Sequence, residues 1–338
     1  MAEEISKILI VDDQPDNIDT IKDILGDGEY SLFSATNGKE ALEIFKKVNP
    51  DLVLLDALMP VMDGFQVARE IKNNPETQLT PVIMITALDS MQDRVKGLEA
   101  GVDDFISRPF NIFELKARIK NLLRMKESLD ELENAEQVIF SLAKTVEAKD
   151  KYTEGHCNRL ADLAVAIGEY LNLPPADLKV LKRGGILHDI GKIAIRDSIL
   201  LKPGKLTPEE FEVIKEHPKI GVQICSPLKT LKPVLPLILY HHERYNGSGY
   251  PEGLKGEEIP LLARIIGMVD CFDSLTTKRP YRRALSVNEA LEICEKETKQ
   301  GLWDPKLFAI FKNVINEPKL KQQFIEWYNP TSSGRTTT

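Results

Sequence analysis

All five histidines of this chain, His156, His188, His217, His241 and His242, fall between positions 156 and 242. His156 stands four residues before Leu160 and seven before Leu163, so a helix would carry it on its apolar face. His188 follows Leu181 by seven residues and Gly185 by three, which puts it on a buried stripe as well, with Asp189 beside it in ILHDIGK. Asp270 ends the apolar run IIGMV, and His241 and His242 open the glycine-rich stretch HHERYNGSGYP. Buried imidazoles and carboxylates are costly unless they are hydrogen-bonded, paired or bound to metal. Five imidazoles and two carboxylates exceed the needs of one tetrahedral ion. Two ions bridged by a shared carboxylate accommodate them. The nitrogen and oxygen donor set suits Fe or Mn, with Zn and Ni as alternatives. Two such ions ~3.5–4 Å apart form a clamp suited to hydrolysing a phosphodiester. Lys192, three residues after Asp189 and one turn along the same helix, is placed to hold a nonbridging phosphate oxygen; taken alone, it would read as a solvated surface lysine.

A second group of carboxylates sits nearer the N-terminus. Asp12 and Asp13 follow the apolar run ILIV, Asp56 follows LVLL, Thr86 follows a fourth apolar run and Arg108-Pro109 a fifth. In an open parallel sheet, chemistry gathers at the carboxyl ends of the strands. Converging carboxylates repel one another, so a hard cation such as Mg²⁺ is the natural neutraliser. One of them can then act as nucleophile toward a phosphoryl donor.

The elements that must position these residues are legible in outline. Ile8–Val11, Ser31–Ala35, Leu52–Leu55, Val82–Ile85 and Phe105–Ile106 are short apolar runs separated by helical patterns, which predicts a doubly wound parallel sheet with helices on both faces. From Ile112 the pattern stays helical for some thirty-five residues. A heptad frame runs through it, with Leu115, Leu122, Leu129 and Ala143 at one core position and Met125, Leu132, Ile139 and Val146 at the other. Arg118 and Glu136 break the frame. This seam predicts a parallel dimeric coiled coil between two domains. Beyond Lys149 the stripes are helical, for instance Leu160, Leu163, Ala164, Ile167 and Leu171, and the polar end from Asn329 to Thr338 reads as a frayed tail.

Composition narrows the function classes. The net charge of −8 over 338 residues argues against a nucleic-acid binder, and an anionic substrate then needs local cations. Cys157, Cys225, Cys271 and Cys294 form no CxxC pair, which fits reduced thiols in a cytoplasm. No run of ~18 apolar residues suggests a membrane span, and the acidic start MAEEISKILIVDD is unlike a secretory signal.

The segments ILIVDD, LLDALMPVMDG, MITA and RPF, in order over about residues 5–123, resemble the receiver domain of bacterial response regulators. The resemblance implies a five-stranded flavodoxin-like fold, phosphorylation at Asp56 by a cognate histidine kinase, and Mg²⁺ held by Asp13 and Asp56 with Asp12 in support. It also implies Thr86 and Phe105 as the switch residues. Arg108 stands where the family usually has lysine, and a planar guanidinium is not an equivalent group at a tight phosphoryl site.

Over about residues 141–328, YTEGH, HDIGK, HP, HH, GYP, ARIIGMVDCFDSLTT and RPYR resemble the HD-GYP family. That resemblance implies an all-α domain that hydrolyses cyclic di-GMP to the linear dinucleotide or GMP. His156, His188, Asp189 and Asp270 match one metal site, and Asp189, His217, His241 and His242 the other. Lys192, Tyr250, Arg279 and Arg282 match substrate contacts. Tyr152 replaces a glutamate that binds a third metal in some members, so two metals are expected. Asn246 replaces a usual aspartate in a loop implicated in partner contacts, such as those with a GGDEF-type cyclase. The expected organisation is a receiver over 1–123, a helical linker over 124–147 that pairs in a homodimer, the catalytic domain over 148–328 and a tail over 329–338. Two alternatives remain open: a metal-containing cyclic dinucleotide sensor with little turnover, and a preference for cyclic GMP-AMP.

Overall fold

The computed structural model describes residues 5–26, 28–86, 91–149, 155–277, 283–318 and 327. The sequence expectations at Tyr152, Arg279, Arg282 and the tail from Asn329 lie outside these residues. The chain divides into two compact units, residues 1–134 and 135–338.

The first unit alternates β1 (Lys7–Val11), α1 (Pro15–Leu25), β2 (Ser31–Ala35), α2 (Gly38–Val48), β3 (Leu52–Asp56), α3 (Gly64–Asn73), β4 (Val82–Thr86), α4 (Met91–Glu99) and β5 (Asp104–Ser107). All strands pair in parallel, in the order β2-β1-β3-β4-β5. The two-residue period of a strand decides which helix each side chain meets. Ile8 and Ile10 pack with Ile18, Ile21 and Leu25 of α1, whereas Leu9 and Val11 pack with Ala41 and Phe45 of α2 and with Val67 and Ile71 of α3. The order reverses between β1 and β3, so their carboxyl ends border the crevice where such sheets hold ligands. Asp12, Asp13 and Asp56 stand there.

Helix α5 (Ile112–Lys149) spans 38 residues, and the division between the units falls within it. The expected heptad seam is consumed from both ends inside the chain. Leu115 and Ile119 are fully buried in the first unit's core, with Leu122 packed against it. Ala143, Ile139 and Phe140 pack into the core of the second unit. Met125, Leu129 and Leu132 alone of the named seam stay exposed, at 61%, 41% and 42%. The two frame-breaking residues also have partners: Arg118 pairs with Asp104 and Glu114, and Glu136 with Arg183 at 2.8 Å.

The second unit continues with α6 (His156–Tyr170), α7 (Pro175–Leu187), a 3₁₀ turn (Ile190–Ala194), α8 (Asp197–Leu200), α9 (Pro208–Lys215), α10 (His217–Cys225), α11 (Leu235–Tyr240), α12 (Leu261–Thr276), α13 (Val287–Lys299) and α14 (Pro305–Asn316). Among its described residues there is no strand, only an isolated bridge between Asn246 and Lys255. Leu160, Ile167, Leu181, Leu237, Ile266, Met268, Phe272 and Phe311 form its core. No helix among the described residues is long and apolar enough to cross a membrane.

Candidate active site

The histidines of the second unit gather where helices end. His188 caps the C-terminus of α7, His241 that of α11, and His217 lies two residues past the end of α9. The last carbonyls of a helix have no partner within it. Each of these rings uses one: Nδ1 of His188 meets the carbonyl of Gly185 at 3.0 Å, His217 that of Ile214 at 2.6 Å, and His241 that of Ile238 at 2.8 Å. A carbonyl only accepts, so Nδ1 carries the proton and Nε2 presents a lone pair. Two such lone pairs, on His217 and His241, face each other 3.4 Å apart. Opposed lone pairs repel unless a cation lies between them.

Asp189 stands at the centre. Its Oδ1 lies 3.2 Å from Nε2 of His217 and 3.9 Å from Nε2 of His241, while Oδ2 lies 3.2 Å from Nε2 of His188. Donor atoms of Asp189, His217, His241 and His242 all fall within 4.8 Å of one another, as do those of His156, His188 and Asp189. Asp189 is common to both groups. Asp270 reaches the second group only at its edge, 3.4 Å from Nε2 of His156. Oδ1 of Asp189 and Nε2 of His188 are buried without a hydrogen-bonding partner. A donor set of this chemistry, with orphaned atoms aimed inward, fits a pair of divalent cations sharing one carboxylate.

The electrostatics agree. Burial alone would push the Asp189 carboxyl up, but Lys192 and the imidazoles of His188 and His217 outweigh it and hold it well below the usual range. Burial opposes charge on His188, yet Asp189 and Asp270 outweigh it and raise its pKa. A positive charge is therefore stabilised at this pair. Burial first, and neighbouring imidazoles second, hold His241 and His242 well below the ordinary histidine value, leaving them neutral as ligands must be. The buried Cys157 thiol is pushed up, chiefly by burial, and is a poor ligand.

Lys192 is not one turn along an α-helix from Asp189, as its spacing predicted. Helix α7 ends at Leu187 and Lys192 lies on the 3₁₀ turn, whose three-residue period brings Nζ to 2.5 Å from Asp189 Oδ2. Gly191 lets this turn pack against α10: a Cβ there would stand 1.9 Å from the carbonyl oxygen of His217. Tyr250 stacks on His242, with centroids 4.7 Å apart and planes 28° apart. Burial, then Asp189 and Asp270, push its phenol up, so it stays a donor at neutral pH.

Sequence reasoning missed Asp273. This carboxylate is 1% exposed on α12; it accepts from Arg159 Nε at 2.8 Å and Nη2 at 3.1 Å, and lies 2.6 Å from Nδ1 of His156. It orients His156 as the backbone carbonyls orient the other rings. The available signal was spacing, since Asp273 follows Asp270 by three residues and Arg159 follows His156 by three.

In the first unit, Asp12 is 1% exposed and fully engaged. Its Oδ1 accepts from the Gln14 backbone and the Asn17 side chain at 2.9 Å, and its Oδ2 pairs with Arg108. Arg108 also lies 3.6 Å from Asp56. Thr86 ends β4, buried, and Phe105 packs so closely on α4 that a Cβ at Gly97 would meet its ring at 2.4 Å. Burial, then Asp12, raise the Asp56 pKa to about 6, against a partial offset by Arg108. Because the unfolded chain loses this proton first, near 3.8, stability falls as pH rises from there through about 6. In Mg²⁺-free buffer Asp56→Asn should therefore stabilise this unit at pH 7.5, on the order of 1 kcal/mol after allowance for solvent screening. Denaturant melts should show the gain vanish below about pH 4, and an equal gain at all pH values would refute the electrostatic account.

Both units of the chain are similar to known proteins. Residues 8–120 match the response regulator receiver domain and residues 114–307 the HD domain. The chain is 37% identical over 322 residues to the cyclic di-GMP phosphodiesterase response regulator RpfG of Xanthomonas campestris, covering 88% of this chain and 85% of the relative. It is 34% identical over 342 residues to a cyclic di-GMP phosphodiesterase of Thermotoga maritima, covering 92% and 90%. A 3'3'-cGAMP-specific phosphodiesterase of Vibrio cholerae is 36% identical over 222 residues, covering 64% of this chain and 48% of the relative.

Proposed function

Because the chain belongs to the response regulators that join a receiver to an HD-type cyclic di-GMP phosphodiesterase domain, we propose that it hydrolyses cyclic di-GMP under the control of Asp56 phosphorylation. The observation that carries the reading is Asp189, one carboxylate common to two groups of inward-facing imidazole nitrogens. In this reading His156, His188, Asp189 and Asp270 hold one divalent ion, and Asp189, His217, His241 and His242 hold the other. Fe or Mn suits the donors best, with Zn or Ni as alternatives. Two such ions would supply Lewis acidity to a phosphoryl oxygen and make a water acidic near neutral pH.

The remaining groups bind and orient the substrate. Lys192 exchanges Asp189 for a nonbridging phosphate oxygen, and its charge offsets what develops there. Tyr250 donates its phenol hydrogen beside His242, and Arg279 and Arg282 supply further cations for the dianionic substrate. Phosphorylation by a cognate histidine kinase, with Mg²⁺ on Asp13 and Asp56 and Asp12 in support, acts through Thr86, Phe105 and Arg108. The exposed Met125, Leu129 and Leu132 of α5 support a homodimer through that helix. A cytoplasmic location and a GGDEF-type cyclase as partner belong to the same reading. The Vibrio cholerae relative supports 3'3'-cGAMP as a second substrate.

The test is to load reduced protein with Fe²⁺ or Mn²⁺, incubate it separately with cyclic di-GMP and 3'3'-cGAMP, and resolve the products by chromatography. Linear dinucleotide or GMP from cyclic di-GMP, at least tenfold faster than turnover of 3'3'-cGAMP, is the expected result. Tight binding of cyclic di-GMP without product over hours would replace the enzyme by a sensor.

A further inference from the structure

We propose that Phe211 is a stacking platform for one purine base of the substrate, an inference that rests on the cyclic dinucleotide reading above. Phe211 lies on α9, which leads directly into His217. The residue is 43% exposed, and a single exposed phenylalanine means little by itself. This one continues a series of rings that starts at the candidate metal centre. His217 lies 5.0 Å from His242, His242 stacks on Tyr250, and Tyr250 meets Phe211 edge to face with centroids 6.3 Å apart and planes at 81°. The ring therefore lies at the outer end of this series, on the far side of Tyr250 from the histidine cluster. In a cyclic dinucleotide each base lies one ribose away from the phosphorus, and every base offers a π-face.

Two further features suit the role. Lys215, one turn on from Phe211, holds Nζ 5.0 Å from the Phe211 centroid and 6.0 Å from that of Tyr250. Its ion pair is with Glu212 at the surface (2.7 Å), a partner it can exchange for the O6 and N7 acceptors of a guanine. The platform is also held in place before substrate arrives. Thr207 and Glu210 close a capping box at the start of α9, and Lys202 clamps Glu210 at 2.6 Å. An aromatic group fixed in advance loses little freedom on binding.

The experiment compares wild type, Phe211→Ala and Phe211→Trp, each loaded with Mn²⁺. For Phe211→Ala, kcat/KM on cyclic di-GMP should fall about tenfold or more, the size of one base–aromatic stack, with the loss in KM. The ratio of that value to kcat/KM for bis(p-nitrophenyl) phosphate should fall with it, because rings bonded directly through oxygen to phosphorus cannot reach a platform one ribose away. Phe211→Trp should restore the ratio, and its added fluorescence should be quenched by a hydrolysis-resistant phosphorothioate analogue of cyclic di-GMP. A KM for Phe211→Ala within twofold of wild type, equal losses on both substrates, or no quenching would overturn the platform. Failure of wild type to cleave cyclic di-GMP would instead overturn the reading on which it rests, while quenching still decides the stack.

Discussion

Asp189→Ala should lose on the order of 10³-fold or more in kcat on cyclic di-GMP, with bound metal falling from two ions to one or none. The size follows from position. Asp189 is the only residue common to both groups of donors among the described residues, so its removal strips a ligand from each ion at once. It also releases Lys192, whose Nζ is held 2.5 Å from Oδ2. Stability should fall together with activity. In the metal-free protein Lys192 and the imidazoles of His188 and His217 hold the Asp189 carboxyl well below its usual range, so replacing it by a methyl group removes a charge that stabilises the fold at neutral pH, although Oδ1 itself has no hydrogen-bonding partner. Added Mn²⁺ should raise the Tm of wild type by mass action and leave that of Asp189→Ala nearly fixed. Metal analysis, kinetics and paired melts with and without Mn²⁺ check the three parts. Activity within tenfold of wild type, with two ions retained, would remove Asp189 from the centre of the site.

How much of this was legible in the sequence depends on the kind of interaction. The apolar runs at Ile8–Val11, Ser31–Ala35, Leu52–Leu55, Val82–Ile85 and Phe105–Ile106 coincide with β1 to β5 to within a residue or two at each end, because strands buried on both faces are nearly continuous in apolar residues. The gathering of His156 and His188 beside Asp189 was legible for the converse reason: polar residues on apolar stripes need a partner to be there. At α5 the same periodicity leaves the covering partner open. A heptad pattern records that one face is covered and is silent on what covers it, and here Leu115 and Ala143 are covered by their own units. Lys192 shows a subtler failure, since an i, i+3 pair belongs to a 3₁₀ turn as readily as to an α-helix. The Nδ1-to-carbonyl bonds at Gly185, Ile214 and Ile238 depend on where each helix stops, which is the least determinate feature of a sequence pattern. Asp273 was hidden because its partners, His156 and Arg159, lie more than a hundred positions away.

That triad yields the second large effect. Asp273→Ala should destabilise the metal-free second unit by about 3–5 kcal/mol, because it leaves the Arg159 guanidinium, only 13% exposed, without its carboxylate. Burial alone would raise the Asp273 pKa, but hydrogen bonds from His156 and Arg159 hold it well below its ordinary 3.8. The unfolded chain therefore takes up this proton first as pH falls. The carboxylate's contribution is complete above about pH 4 and is lost as pH drops through the lower, folded value. The gap between wild type and Asp273→Ala should accordingly be full at pH 7 and narrow below pH 4; a gap that does not narrow would mean that lost packing, not charge, sets the cost. Metal affinity should drop separately, by about 10–100-fold, because Nδ1 of His156 loses the acceptor that fixes its tautomer. The double variant Asp273→Leu with Arg159→Met distinguishes the two roles. Apolar groups of similar volume replace the carboxylate and the guanidinium together and should recover most of the stability, whereas the ring of His156 remains unoriented and the metal affinity should stay low. Recovery of both together would show that Asp273 only supports the fold, and recovery of neither would show that the site cannot be repacked without its charges.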